Sequence, residues 1–223
     1  MFQDRTDAGA KLAERLDDYA DRDDIIVWGL PRGGVLVALE VARALDAPLD
    51  VSVVRKLGVP DQPELAMGAV AAGGVRVLND EILAMLNISD QAIDDVTRRE
   101  METLERQQLD FSGETEPADP KGKTVILVDD GLATGATMRA VVEAARRRNP
   151  ARIVVAVPVA PPDVRQDFEA LVDEVVCVST PEPFSGVGAW YRDFRQTTNR
   201  QVQDALEEAR SWHEHDFSGS DDA

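Results

Sequence analysis

The stretch VILVDDGLATGATMRAVVEAAR, residues 125–146, decides the fold class of this chain. A run of aliphatic residues from Thr124 to Val128 predicts a buried strand, and Asp129 and Asp130 follow at the point where it ends. Small residues then lead into a predicted helix from Ala136 to Arg148. Strand, tight loop and helix in this order form the unit of a parallel sheet covered by helices.

The same alternation extends in both directions along the chain. Strands are predicted at residues 25–30, 49–54, 153–159 and 174–178, and helices within 4–22, 35–45, 89–109 and 163–171. Residues 55–66 are punctuated by Gly and Pro and are predicted as a loop, followed by a hairpin of 67–71 with 75–78 around Gly73 and Gly74. The whole pattern predicts an α/β protein with a Rossmann-like parallel sheet flanked by helices.

Composition and charge limit the function. The 223 residues suit one large domain, and 24 Lys and Arg against 42 Asp and Glu give a net charge of −18. That charge disfavours nucleic acid as a partner. Two interpretations of the acidity stay open: solvation in a salt-rich cytoplasm, which is favoured, or a surface for cations or a basic partner. The longest apolar runs are strand-sized, no secretory signal is visible, and Cys177 stands alone, so we expect a cytoplasmic protein without membrane contact.

The loop after the strand has the chemistry of a phosphate cradle. Its small residues keep side chains away from the backbone N–H groups, Thr134 and Thr137 add hydroxyl donors, and a helix N-terminus follows. Asp129 and Asp130 can accept hydrogen bonds from vicinal hydroxyls, so the segment predicts a site for a ribose 5-phosphate. It lacks the Gly-Lys-Ser/Thr of a P-loop. Two other interpretations of the segment stay open: a plain strand–turn–helix with incidental acids, or a receiver-type phosphoacceptor site.

The segment closely resembles the 5-phosphoribosyl-1-diphosphate (PRPP) signature of type I phosphoribosyltransferases. Three more stretches occur in that family's order: FQDRTDAG at 2–9, WGLPRGGV at 28–35 and VRKLGVPDQPELAMGAV at 54–70. Together they resemble a bacterial and archaeal branch of the superfamily. The resemblance implies the type I fold, with a small hood over the acceptor and a flexible β-hairpin loop beside the diphosphate.

The resemblance also implies roles for individual residues. The expected sets are Asp129, Asp130, Arg55 and Lys56 for catalysis; Ala133, Thr134, Gly135, Ala136 and Thr137 for the 5′-phosphate; Arg32, Gly33, Gly34, Arg55 and Lys56 for the diphosphate; and Phe184 and Val187 for the hood. Mg²⁺ is the expected cofactor, held indirectly through Asp129 and Asp130. Ala133 stands where hypoxanthine-type enzymes have an aspartate, which leaves Glu64 as a candidate base.

The expected function is transfer of the 5-phosphoribosyl group from PRPP to a nitrogenous acceptor, a nucleobase, by a homodimer. The alternative is a non-catalytic protein that senses PRPP or a nucleotide. Arg55, Lys56 and the complete loop to Gly68 favour the enzyme, because a sensor would not need them.

Outside the motifs, the expected organisation is an N-terminal helix at 1–23 packing on the core or hood, a phosphoribosyltransferase core with its hood at 24–195, and a C-terminal helix with a frayed acidic tail at 196–223. His213 and His215 are interpreted as part of a solvated tail, and Cys177 as an inert core residue.

Overall fold

The structure is a computed structural model that describes residues 1–72, 74–112 and 118–214. The strands are β1 Ile25–Gly29, β2 Leu49–Val51, β3 Val54–Val59, β4 Gln62–Ala71, β5 Val75–Leu78, β6 Thr124–Val128, β7 Arg152–Val159 and β8 Glu174–Ser179. The helices are α1 Arg5–Ala13, α2 Gly33–Leu45, α3 Asp80–Leu86, α4 Asp90–Ser112, α5 Ala136–Arg146, α6 Pro162–Glu169 and α7 Asn199–Glu214. These elements form two sheets with helices packed around them.

The main sheet has five parallel strands in the order β2-β1-β6-β7-β8. Every residue of β1 and β6 is buried, as the unbroken aliphatic runs predict for strands covered on both faces. From β1 the chain moves to β2 on one side and later returns to β6 on the other, so the strand order reverses between β1 and β6. Ligands of open α/β sheets bind at such a reversal, outside the carboxyl ends of the strands.

Helices cover the two faces of this sheet with separate apolar cores. Leu12 of α1 and Val37 and Val41 of α2 pack against Val27 and Ile126 on one face. On the other face, residues of α5 and α6, including Phe168, pack against the alternate side chains of the same strands. The two coverings hold β1 and β6 in register, with Gly29 opposite Val128, so the loops that follow both strands start side by side.

A second, antiparallel sheet of β3, β4 and β5 lies against α4 and α7 in a third apolar core. The hairpin of 67–71 with 75–78 is confirmed by the pairing of β4 with β5, although Gly73 lies outside the described residues. The loop predicted at 55–66 is wrong, because most of it lies in β3 and β4, which pair from Val54↔Ala71 to Val59↔Gln62. The Gly and Pro residues mark irregularities within this pairing, since its register shifts on both sides of Gly58.

The helices differ from the sequence-based expectation in two places. The first helix ends at Ala13, and a 3-10 turn at Asp17–Tyr19 follows it. Helix α3 was not predicted; Asn79 caps it by accepting a hydrogen bond from the Ile82 N–H. The stretch 112–122, rich in Gly, Pro and acids, is expected to be a surface linker; its residues 113–117, and the end of the expected frayed tail, lie outside the described residues. No helix in the described ranges is long and apolar enough to cross a membrane.

Candidate active site

The acid pair, Asp129 and Asp130, lies directly after β6 at the reversal of strand order. The two residues bond to each other, since the Asp130 N–H donates to Oδ1 of Asp129 at 2.8 Å. Burial raises the pKa of Asp129 well above its ordinary value, and the adjacent charge of Asp130 raises it further. Burial also raises the pKa of Asp130. The pair therefore resists carrying two negative charges until a ligand or cation compensates them.

The glycine turn, Gly33-Gly34, opens α2 and touches the acid pair. A Cβ at Gly33 would lie 2.0 Å from Oδ2 of Asp130, and a Cβ at Gly34 would lie 2.8 Å from Oδ1 and from Cα of Asp129. Only a residue without a side chain permits this approach. The half-buried Arg32 immediately precedes the turn. The candidate diphosphate loop and the candidate ribose acids, about a hundred residues apart in sequence, are thus in direct contact.

The small-residue loop after the acid pair leads into the N-terminus of α5. Gly135 has φ 71° and is buried against Phe168, whose Cε2 would lie 2.5 Å from a Cβ at that position. Its neighbours Thr134 and Ala136 are exposed, as are Ala133 and Thr137. These exposed loop residues thus lie at the positive end of the α5 helix dipole. This geometry suits a phosphate group.

The cations of the hairpin β3–β4 border a cavity of about 540 Å³. Arg55 and Lys56 line it, together with Arg99 of α4 and Thr137 of the small-residue loop. Both hairpin cations already have acidic partners: Arg55 Nε donates to Glu100 Oε2 at 2.8 Å, and Lys56 Nζ lies 3.5 Å from Glu64 Oε2. Glu64, the candidate base, has a fully exposed side chain and also lines this cavity.

The hood segment after β8 packs on the N-terminus of the chain. Phe184 and Val187 are both half-buried, and both pack against an apolar cluster of Phe2, Ala8, Val159 and Tyr191. The Val187 methyl groups lie over Gly131, since a Cβ there would be 2.7 Å from Cγ1. Backbone bonds join the same two segments: the Phe2 N–H donates to the Trp190 carbonyl at 2.7 Å, and the Arg192 N–H to the Phe2 carbonyl at 2.9 Å.

Two residues at the acid pair had no role in the sequence-based prediction. Arg5 Nε donates to Oδ2 of Asp130 at 2.8 Å, and its charge opposes the effect of burial on the pKa of that acid. The Tyr191 hydroxyl donates to the Asp130 carbonyl at 2.6 Å, and burial raises the pKa of Tyr191. The only sequence signal for Arg5 was its place in FQDRTDAG, and a pairing across 125 positions leaves no local pattern.

The two carboxylates of the acid pair are the candidate ligands for a metal ion at this site. Within the part of the chain that the structure describes, no group of three or more His, Cys, Asp or Glu could hold a metal ion. Two carboxylates do suit Mg²⁺, which in phosphate-handling sites keeps several waters and shares the oxygens of the substrate. The donor set therefore fits a metal that arrives with a phosphorylated ligand.

The remaining candidate residues lie away from this site. Cys177 is half-buried in β8, its thiol donates to the Ser179 carbonyl at 3.2 Å, and burial raises its pKa, which suits an inert thiol. His215 and the side chain of His213 lie outside what the structure describes.

Comparisons with known proteins agree with this geometry. The family described as "Phosphoribosyl transferase domain" matches residues 2–191. Proteins from two strains of Mycobacterium tuberculosis, provisionally named as phosphoribosyl transferases, are 46% identical over 209 residues, which is 94% of this chain and 47% of theirs. This chain thus spans about half the length of these relatives.

A solved structure extends the similarity to three dimensions. TT1426 from Thermus thermophilus is 43% identical, has a TM-score of 0.82 and covers 93% of this chain and 98% of its own. The family match covers most of the chain. It agrees with a parallel sheet whose acid pair lies at the strand reversal and with a glycine turn packed against those acids. The chain belongs to the phosphoribosyltransferase family, with the type I fold.

Proposed function

We propose that this protein transfers the 5-phosphoribosyl group of PRPP to a nitrogenous acceptor, a nucleobase, and releases diphosphate. The contact of the glycine turn with the acid pair carries the proposal. The turn that the resemblance assigns to the diphosphate and two carboxylates that can read a diol meet at one point, and PRPP presents a diphosphate next to its vicinal hydroxyls.

Each part of the substrate has a matching part of the site. Backbone N–H groups of residues 133–137 bind the 5′-phosphate at the start of α5, and the Thr134 and Thr137 hydroxyls add donors. Asp129 and Asp130 accept hydrogen bonds from the ribose hydroxyls. Arg32 and the glycine turn receive the diphosphate, and Arg55 and Lys56 reach it across the 540 Å³ cavity.

Mg²⁺ fits this arrangement as the cofactor. Asp129 and Asp130 would hold it indirectly, through its waters, and when bound it would neutralise the charge of the leaving diphosphate. A metal that comes with PRPP also compensates the burial of two adjacent acids, which otherwise raises the pKa of each.

The residues act on both poles of the reaction. The bond from the anomeric carbon to the diphosphate oxygen breaks and its electron pair leaves with the diphosphate, while an acceptor nitrogen forms the new bond with its own lone pair. Asp129 and Asp130 hold negative potential near the anomeric carbon as positive charge develops there. Arg55 and Lys56 stabilise the leaving group, and closing of the hairpin excludes water.

The hood supports a flat heterocycle as the acceptor. Phe184 and Val187 both follow β8, Val187 lies over Gly131 of the loop after the acid pair, and a ring that stacks on a base contributes about 1–3 kcal/mol. Ala133 argues against a purine reaction that needs an acid at that position, which leaves adenine-like and pyrimidine bases. Glu64, in the hairpin, is the candidate for the acceptor's proton, although its exposed position requires that the hairpin closes.

The first test measures PRPP binding with Mg²⁺ by calorimetry, at low and at multimolar salt because of the −18 charge. The second follows diphosphate release from PRPP with a panel of purines, pyrimidines and simple amines. We expect binding, and release with at least one base. Tight PRPP binding with no release across the panel would favour the sensor. Absence of PRPP binding at both salt concentrations would refute the proposal.

A further inference from the structure

Arg5 connects the N-terminal segment to the acid pair, and three groups fix its guanidinium. Nε donates to Oδ2 of Asp130 at 2.8 Å, Nη1 donates to the Arg195 carbonyl at 2.9 Å, and the group stacks on the Phe194 ring at 4.2 Å from its centroid. The side chain is only 11% exposed. A guanidinium that is held at three points loses little further conformational freedom when its partner, Asp130, binds a ligand.

The segment that carries Arg5 is itself clamped onto the hood. Backbone hydrogen bonds on both sides of Phe2 and from Asp193 to Gln3 pair this segment with residues 190–193. Asp4 then caps α1 by accepting a hydrogen bond from the Asp7 N–H at 2.9 Å. The backbone at Arg5 is thus held on both sides before the side chain reaches Asp130.

The glycine turn closes around the same ion pair. A Cβ at Gly33 would lie 2.0 Å from Oδ2 of Asp130 and 2.6 Å from Nε of Arg5. The absence of a side chain at Gly33 is therefore what allows Arg5 to reach the acid beneath the candidate diphosphate loop. The turn, the acid and the arginine form one contact.

Arg5 engages Oδ2 of Asp130 and leaves the acid able to accept further hydrogen bonds. A carboxylate has about four lone-pair sites. Arg5 fixes the rotation of this carboxylate, so its remaining lone pairs keep one direction. Without that bond the carboxylate could rotate, and its selectivity for a diol would fall.

We propose that Arg5 is a positioning residue for sugar recognition: it holds the Asp130 carboxylate oriented so that the acid accepts a hydrogen bond from a ribose hydroxyl. This inference rests on the proposed function, because it assigns the ribose of PRPP to the acid pair. The N-terminal segment then completes the sugar site instead of only covering the core.

The experiment measures selectivity for the hydroxyls, which a purely structural role would not change. Calorimetry gives the affinity of wild type, Arg5→Gln and Arg5→Lys for ribose 5-phosphate and for its 2-deoxy and 3-deoxy analogues. Arg195→Gln is the matched control, since it removes a nearby charge but keeps the carbonyl that Arg5 uses, and its side chain is 88% exposed. Thermal melts check that each variant is folded.

We expect wild type and Arg195→Gln to prefer ribose 5-phosphate over at least one deoxy analogue. Arg5→Gln should reduce that preference by about tenfold, the value of one hydrogen bond to a charged group, and Arg5→Lys by a smaller factor. If Arg5→Gln does not fold, the Arg5→Lys measurement decides alone.

Two results would overturn the inference. A preference that stays unchanged in Arg5→Lys and Arg5→Gln would mean that Arg5 only anchors the N-terminus. Wild type that binds neither PRPP nor ribose 5-phosphate would refute the proposed function, and the inference with it, so the two failures are distinguishable.

Discussion

The two sides of the acid pair differ in chemistry. On the hood side, Phe2 and Tyr191 pack ring against ring at 5.3 Å between centroids, backbone bonds join the segments, and Arg5 is nearly enclosed. On the hairpin side, Arg55 and Lys56 border an open cavity, with side chains 37% and 46% exposed. The polar groups of the hood side are thus fixed by surrounding apolar burial, whereas the cations of the hairpin side are held by partly exposed ion pairs above the apolar core of their strands.

The difference indicates a division of labour. Packed rings and a backbone ladder fix the orientation of groups that must recognise a sugar and a base. Exposed ion pairs contribute about 0.2–1 kcal/mol each, so under the proposed function Arg55 and Lys56 would exchange Glu100 and Glu64 for a diphosphate at little cost. In the proposed function, the hood side is therefore built before PRPP arrives, and PRPP completes the hairpin side.

The largest effect is expected from replacing the acid pair, which lies between the two sides. Replacing Asp129 and Asp130 together by Asn keeps their shape but loses the negative charge near the anomeric carbon. We expect kcat/KM for PRPP to fall by at least about 100-fold, as for other groups that stabilise developing charge. Steady-state diphosphate release measures it.

Asp50→Asn is the matched control for the double variant. Asp50 is another buried acid at a strand of the main sheet, and burial raises its pKa too, but it borders a different cavity. Its kcat/KM should stay near that of wild type. A double variant with unchanged kcat/KM would refute the role of the acid pair.

A second test breaks the hood side alone. If Phe184 stacks on the acceptor, Phe184→Ala should raise the acceptor KM by about tenfold and leave the PRPP KM nearly unchanged. Initial rates with each substrate varied in turn separate the two constants. Equal losses for both substrates would instead mean that Phe184 serves the cluster with Phe2 and Tyr191 that holds the hood.

A third test releases the hairpin side. Glu100→Gln removes the partner of Arg55 and should strengthen PRPP binding by about twofold to fivefold, because the exchange no longer breaks an ion pair. Calorimetry at low salt measures the effect, and added salt should reduce it.

Asp94→Asn is the control for this release. Asp94 lies on the same helix α4 and pairs with Arg76 of β5 at 2.8 Å, outside the residues that line the hairpin cavity. Its affinity for PRPP should match wild type. Equal affinities of Glu100→Gln and Asp94→Asn would show that Glu100 does not restrain Arg55.

The smallest effect concerns stability at the acid pair. The folded-state pKa of Asp129 is raised above its unfolded value of about 3.9, so the folded protein binds the proton more tightly. Stability is then lost as pH rises through the unfolded pKa towards the folded one. Asp129→Asn avoids this loss. We expect its Tm to exceed that of wild type by about 2–4 °C at pH 7, which corresponds to a gain of about 1 kcal/mol in the free energy of unfolding.

Thermal melts between pH 3.5 and pH 7 check the sign. The gain of Asp129→Asn should shrink towards zero at the acid end. Asp130→Asn should show no such gain, because it leaves Arg5 buried without its charged partner. A Tm of Asp129→Asn below that of wild type at pH 7 would contradict the cost assigned to the buried acid.

Much of the fold was predictable because its signals are local. The aliphatic runs at 124–128 and 153–159 predicted buried parallel strands, and the small residues after Asp130 predicted a tight turn into a helix. The strands within 55–66 were not predictable from such local patterns, and only the resemblance implied a β-hairpin in this region. Its glycines and prolines are typical of loops, and only pairing with β4 and packing against α4 make the segment a strand.

The sequence by itself determined the parallel sheet and the residue types that a sugar phosphate requires, because both are written in patterns of a few adjacent residues. Only the tertiary structure decided that Gly33 touches Asp130, that Arg5 is the counterion of that acid, and that Glu100 and Glu64 neutralise the hairpin cations. Those contacts join segments far apart in the chain. The free energy that forms them comes from burying the surrounding cores, and no local pattern records which distant residue a charge will meet.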